Sequence, residues 1–329
     1  MKNIRKSARK IPIAGLLVAA MLAAGCGGGN DAPAADSDTV RLVVSEGNSL
    51  PFIAAEAAES LGVWEEEGIT VQIIDATSST VSSAMASGNA DISLQAGVRA
   101  VGDIGAGLDA TLVAGAVLPW DQFILAAPNA DANDPAELKG KRLGISGFGS
   151  AGHFATVKMA DSLGWSDSDF EIVQLGSLDG MIAALKSDRI DAFIWSVEPV
   201  LTAVKEGYGK NLGSVAELVG PNAFEAFSIN DEFMTGNPEL AKKFFNGYFK
   251  AVAKLKADPA WAENFVIEDW KKDPDVAREA VDMLLPLLSD DGEIPEENIK
   301  GLEAAVRLND EDLADFNVAE HYTYWKEMS

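Results

Sequence analysis

The sequence predicts an α/β protein of two lobes. Three observations carry that prediction. Short apolar runs alternate with helical stretches from Val40 onward, and the alternation starts afresh near Asp134. The chain, 329 residues with 47% hydrophobic and 23% charged side chains, is long and apolar enough for two cores. The charge is acidic, 26 Lys and Arg against 51 Asp and Glu, a formal net charge of −25. Such a surface repels phosphate backbones and excludes nucleic acid as a partner. One cysteine (Cys26) and two histidines (His153 and His321) leave no intrachain disulfide and no Cys/His set for structural zinc. No metal and no cofactor is expected.

The elements follow in order. Residues 1–25 have the three parts of an export signal: a basic stretch, an apolar run from Ile11 to Ala24, then Gly25 before Cys26. The run has 14 residues, short of the roughly 20 needed to cross a bilayer as a helix. Leu22-Ala23-Ala24-Gly25-Cys26 resembles a bacterial lipobox, with Ala23 where Leu is commoner, and implies lipidation of Cys26. Residues 26–38 are Gly, Ala, Pro and Asp with little to bury, a flexible tether. Strands are predicted at 40–45, 71–74, 91–94, 111–116 and 123–127, with helices over 51–61 and 80–87. A second series begins at Asp134-Pro135, an N-cap before a first-turn proline. It has strands at 142–146, 171–175 and 192–195 and helices to about Leu163 and over 178–186. Residues 226–230 form one more strand. After Asn237-Pro238 the chain turns helical, with Phe244, Tyr248, Val252 and Leu255 on one face. The expected lobes are 39–125 with 227–329, and 126–226, the chain crossing near 123–127 and returning near 226–230. The C-terminal helices pack on the first lobe. No internal repeat is evident.

Five segments in this order resemble the solute-binding proteins of ABC importers, in the branch serving nitrate, sulfonates, taurine and thiamine-pyrimidine precursors. They are 51–74 (PFIAAEAAESLGVWEEEGITVQII), 86–94 (ASGNADISL), 138–146 (LKGKRLGIS), 184–198 (ALKSDRIDAFIWSVE) and 227–240 (FSINDEFMTGNPEL). The resemblance implies a type II periplasmic-binding-protein fold closing over one small solute. It further implies a monomer, exported and lipid-anchored, that delivers its solute to an ABC permease and its ATPase subunits. Enzymatic relatives that make a thiamine pyrimidine carry a cysteine-rich motif that this chain lacks, and the chain is read as not an enzyme. An exported carboxylate-based enzyme on the same fold is the alternative, as is a receptor for a pyrimidine precursor.

Ligands of open α/β sheets sit beyond the carboxyl ends of strands, where helix N-termini hold anions without Lys or Arg. That rule selects the candidates: Glu46 and Asn48; Ser78, Ser79 and Thr80; Gln95; Trp120 and Asp121; Trp195 and Glu198. Residues 147–153 (GFGSAGH) match G-x-G-x-x-G but lack the acid that a dinucleotide site needs at the end of the next strand. Gly149, Ser150 and His153 are read there as half of a ligand cage. Asn48 equally fits a plain turn, Thr80 an N-cap, Trp120 the core and His153 a structural role. Helix starts favour an anion, while the acids and two Trp favour an amine or aromatic nitrogen. Sulfonate or taurine-type solutes come first, a pyrimidine precursor second and nitrate last.

Overall fold

The computed structural model describes residues 38–77, 80–309 and 311–329. The predicted export signal, the predicted tether up to residue 37, Cys26, Ser78 and Ser79 lie outside them.

Among the described residues, ten strands form two five-stranded sheets. They are β1 (Thr39–Val44), β2 (Thr70–Asp75), β3 (Ile92–Ala96), β4 (Ala110–Val117), β5 (Gln122–Ala126), β6 (Arg142–Ile145), β7 (Glu171–Gln174), β8 (Ala192–Ser196), β9 (Lys210–Ser214) and β10 (Glu225–Asn230). The first sheet runs β2-β1-β3-β10-β4 and the second β7-β6-β8-β5-β9. β1, β2 and β3 are parallel, as are β6, β7 and β8. Strands β3 and β4 are buried almost throughout, as expected where helices cover both faces of a sheet.

Each sheet takes one antiparallel strand from the chain that built the other. β5 follows β4 yet pairs with β8 and β9; β10 follows β9 yet pairs with β3 and β4. The crossings therefore fall at the starts of these strands. β5 already belongs to the second sheet before residue 125, and β10 enters the first sheet at Glu225. The expected boundaries, 125/126 and 226/227, fall inside these strands, each of which lies one place in from the edge of its new sheet.

The sheets repeat one plan that the sequence conceals. The backbone N–H and Nε of Arg41 donate to Asp91 Oδ2 at 2.8 and 3.0 Å, Nη2 reaches Oδ1, and Nη1 donates to the Gly88 carbonyl at 2.5 Å. Arg142 does the same with Asp191 Oδ2 at 2.8 and 3.0 Å, Oδ1 at 2.9 Å and the Asp188 carbonyl at 2.7 Å. Gly88 and Asp188 share a left-handed φ of 67° and 55°. The expectation of no repeat fails because two short clamps, not a run of identities, carry the symmetry.

Helices fall largely where predicted, and Leu178–Lys186 matches to the residue. Asp134 caps a short 3₁₀ turn, Pro135–Leu138, accepting from the Ala136 N–H at 2.8 Å. The predicted face of Pro238–Ala257 is buried, but Asn237 makes no side-chain cap. That helix packs on Ile53–Ser60, and the Trp64 indole donates to the Phe244 carbonyl at 3.2 Å. Helix Pro274–Leu284 instead lies against Val197–Lys205, which covers the second sheet. β9 escaped prediction: KNLGS carries no β-branched or aromatic residue and forms an edge. No helix among the described residues is long and apolar enough to cross a membrane.

Candidate functional site

The carboxyl ends of β1, β3, β6 and β8 and the starts of β5 and β10 surround a cavity of about 50 Å³. That is room for roughly four waters at 10–15 Å³ each, so it takes a compact group and not a dinucleotide. Phe52, Trp195 and Phe224 form apolar walls, and Ser45, Ser49, Ser146, Ser150 and Ser196 add hydroxyls. Glu46, Gln95, Arg99, Gln122 and Glu225 bring the stronger polar groups. Arg99, Ser146 and Ser150 also border a groove of about 290 Å³ beneath the exposed Phe148 ring.

Two matching loops frame the cavity. Counted from the Arg clamps, residues 45–49 (SEGNS) correspond to 146–150 (SGFGS). Each begins and ends on a Ser that lines the cavity, and each turns through a left-handed residue, Asn48 (φ 53°) or Gly149 (φ 78°). Ser150 caps the helix Ala151–Ser162, accepting from the His153 N–H at 3.2 Å.

The electrostatics are acidic. Burial pushes the Glu46 carboxyl up to about 7, with the charge of Lys272 opposing it. Glu225 is raised well above the ordinary range by burial and then by Asp121 and Glu46. Asp121, behind the cavity, rises to about 7 through burial, with the Ser196 hydroxyl opposing. Arg99 is turned to Asp103, Nε 2.9 Å from Oδ1, and Nη2 donates to Ser82 Oγ at 3.3 Å. Gln95 Nε2 donates to the same Asp103 at 3.2 Å. Gln95 Oε1, Gln122 Oε1 and Glu225 Oε2 are buried without a hydrogen-bond partner. Buried polar atoms of this kind are costly unless something fills the space beside them.

Of the sequence candidates, Glu46, Gln95, Ser150 and Trp195 meet at the cavity. Asp121 and Trp120 lie behind it; the Trp120 ring sits 4.9 Å from Phe224 and 5.5 Å from Phe154, filling the core. Glu198 is turned away, accepting from Lys272 Nζ at 2.8 Å and Thr202 Oγ1 at 3.0 Å. His153 accepts from the Gly149 N–H at 3.2 Å and meets Phe148 edge-on; burial lowers its pKa. Asn48 is exposed and donates its N–H to Glu56 Oε1 at 2.7 Å. Thr80 bonds Thr77 at the start of Val81–Ala86. Sequence reasoning missed Phe52, Arg99, Gln122, Phe224 and Glu225. A rule that looks only past the carboxyl ends of strands cannot find residues that open antiparallel strands. Gln122 and Glu225 were legible only by asking where the crossing strands begin.

Residues 48–262 match the family model described as NMT1/THI5 like. In Saccharomyces cerevisiae, 4-amino-5-hydroxymethyl-2-methylpyrimidine phosphate synthase THI11 is 26% identical over 223 residues, covering 63% of this chain and 64% of the relative. The chain thus spans about 64% of the length of such curated relatives. Among solved structures, the alkanesulfonate-binding protein SsuA from Xanthomonas axonopodis pv. citri, bound to MOPS, superposes with a TM-score of 0.76 at 18% identity, over 88% of this chain and 100% of that one. The periplasmic aliphatic sulphonate binding protein SsuA from Escherichia coli gives 0.69 at 16%, over 82% and 86%. These likenesses establish the two-lobed periplasmic-binding-protein fold. The sequence-based reading that excluded catalysis is corrected: the curated relatives are named as synthases, so membership does not separate binder from enzyme. With the model match spanning more than half of the chain and the expected fold in place, the chain belongs to the NMT1/THI5-like family.

Proposed function

We propose that the chain is the extracytoplasmic solute-binding component of an ABC importer. It captures a small organic solute in the cavity and presents the closed form to a permease with its ATPase subunits. Residues 1–25 direct export and Cys26 carries the lipid. The lobes are 39–125 with 227–329, and 126–226, with the crossings refined as above. The observation that carries this reading is the cavity itself, walled by both lobes and lined by buried polar atoms that lack partners. The names of the structural neighbours support a sulfonate or taurine-type solute, with the Ser150 hydroxyl at the cavity for its anionic end.

A thermal-shift screen of the purified protein against sulfonates, taurine, pyrimidines, nitrate and amines tests it. A ligand that binds only the folded state adds about 2.7 kcal/mol at a hundredfold excess over Kd. Silence across that panel from correctly folded protein overturns the reading.

A second reading, a carboxylate-based enzyme, is supported by the carboxyls of Glu46 and Asp121, raised to about 7 beside an aromatic-walled cavity. Turnover of a bound solute, followed by mass spectrometry, separates the two.

A further inference from the structure

The chemistry of the solute follows from which charges around the cavity are already satisfied; the argument rests on the solute-binding reading above. Arg99 is paired with Asp103, and Glu198 with Lys272. Among the described residues, neither Glu46 nor Glu225 forms an ion pair, and both line the cavity.

The neutral groups point the same way. The amide nitrogen of Gln95 is engaged by Asp103, so its oxygen is the atom left to a ligand. Gln122 Oε1 and Glu225 Oε2 are also unpartnered, and all three residues are 5% exposed or less. Three buried acceptors without donors need a ligand that brings N–H groups. Two unpaired acids need one that brings positive charge.

Among the described residues no three His, Cys, Asp or Glu side chains stand close enough to hold a metal ion. The walls of Phe52, Trp195 and Phe224 instead suit an organic body, whose cationic end gains from a facing ring. An anion offered alone would bring no N–H group to these acceptors and would oppose ionisation of the two acids.

We infer that this cavity recognises a compact organic cation, its protonated nitrogen held between Glu46 and Glu225 and its N–H groups donating to Gln95 and Gln122. A sulfonate on the same molecule is permitted and is not what the cavity selects.

Isothermal titration of the full chain at pH 8 tests this with ethanolamine, 1,3-diaminopropane, guanidine, taurine and isethionate. Isethionate replaces the ammonium of taurine by a hydroxyl. Compounds with a protonated nitrogen should bind and isethionate should not. Glu225→Gln, which keeps the shape and removes a buried ionisable carboxyl, should weaken the tightest of them at least tenfold, as should Glu46→Gln. Isethionate binding as tightly as taurine, or both variants staying within twofold, overturns the cationic assignment and leaves solute capture standing. No heat from any of the five overturns the cationic assignment. Solute capture falls with it only if the wider screen described above is silent too.

Discussion

The two lobes share a scaffold and differ where they face each other. Both fasten a parallel strand of their sheet, β1 or β6, with an Arg–Asp fork, and both line the cavity with two serines around a left-handed turn. Glu225 lies opposite Ala96 in one sheet as Gln122 lies opposite Ser196 in the other. Other positions at or beside the cavity differ. The first sheet carries Glu46, Gln95 and Glu225 where the second carries Gly147, Trp195 and Gln122. Both carboxyls at the cavity belong to the first sheet or its loops, whereas hydroxyls and aromatic rings come from both lobes, Ser45, Ser49 and Phe52 from the first and Ser146, Ser150, Trp195 and Ser196 from the second.

Burial also separates the two forks, which offers the largest way to break the comparison. The Arg41 and Asp91 side chains are 34% and 7% exposed, against 37% and 25% for Arg142 and Asp191. Asp91→Ala strands a cation and two N–H donors against a buried surface and should cost about 3 kcal/mol in urea unfolding. Asp191→Ala should cost less than half as much, because water can replace the carboxylate. Equal costs would show that the exposures do not govern the forks.

Asp121, before β5, corresponds to Phe224 before β10, an acid set against an aromatic ring. Its folded pKa of about 7 lies above the unfolded value, so the folded state holds the extra proton between about pH 4 and 7. Stability is lost as pH rises through that window. Asp121→Asn should therefore leave stability near pH 4 unchanged and raise it at pH 8 by about 2 kcal/mol. Thermal melts across that range check the sign; a variant less stable at pH 8 would refute it.

The Glu198–Lys272 pair ties the helix over the second sheet to the C-terminal segment. Lys272→Ala leaves Glu198 buried without its cation and should cost about 1–2 kcal/mol. Lys205, exposed and bonded to Asp273 and Asp275 at 2.5 and 2.9 Å, joins the same segments. Its replacement by Ala should produce the smallest change, within the error of a melting curve.

Binding of the cation should itself depend on pH. Glu46 must lose its proton, against Asp179, Glu198 and Glu225 and aided by Lys272. Affinity for 1,3-diaminopropane should rise from pH 5.5 to 8, and Glu46→Gln should flatten that rise.

Much of this fold was readable from the chain. Nine of the ten strands announce themselves as apolar or β-branched runs, the half-exposed edge strands β2 and β7 included, and Pro and Asn mark the helix starts. The edge strand β9 is polar and short and carries no such mark. At the site, Glu46, Gln95, Ser150 and Trp195 were legible because each ends a parallel strand or opens a helix. Whether a nearby side chain turns inward was not. Glu198 finds Lys272, and Trp120 finds two phenylalanine rings, through contacts that join distant parts of the chain.

The exchanged strands have a consequence for how the protein is made. The inner strand β10 of the first sheet lies more than a hundred residues beyond its partners β3 and β4. A chain that leaves the ribosome or a translocation channel N-terminus first must deliver most of the second lobe before the first sheet can close. Until Asn230 has emerged, β3 and β4 hold unpaired edges, and the apolar strand that would join them is absent. The second lobe meets no such delay, because β5 is at hand before β6 forms. Residues 122–214 complete the second sheet before Asn230 closes the first, so the first sheet should be the last to become protease-resistant.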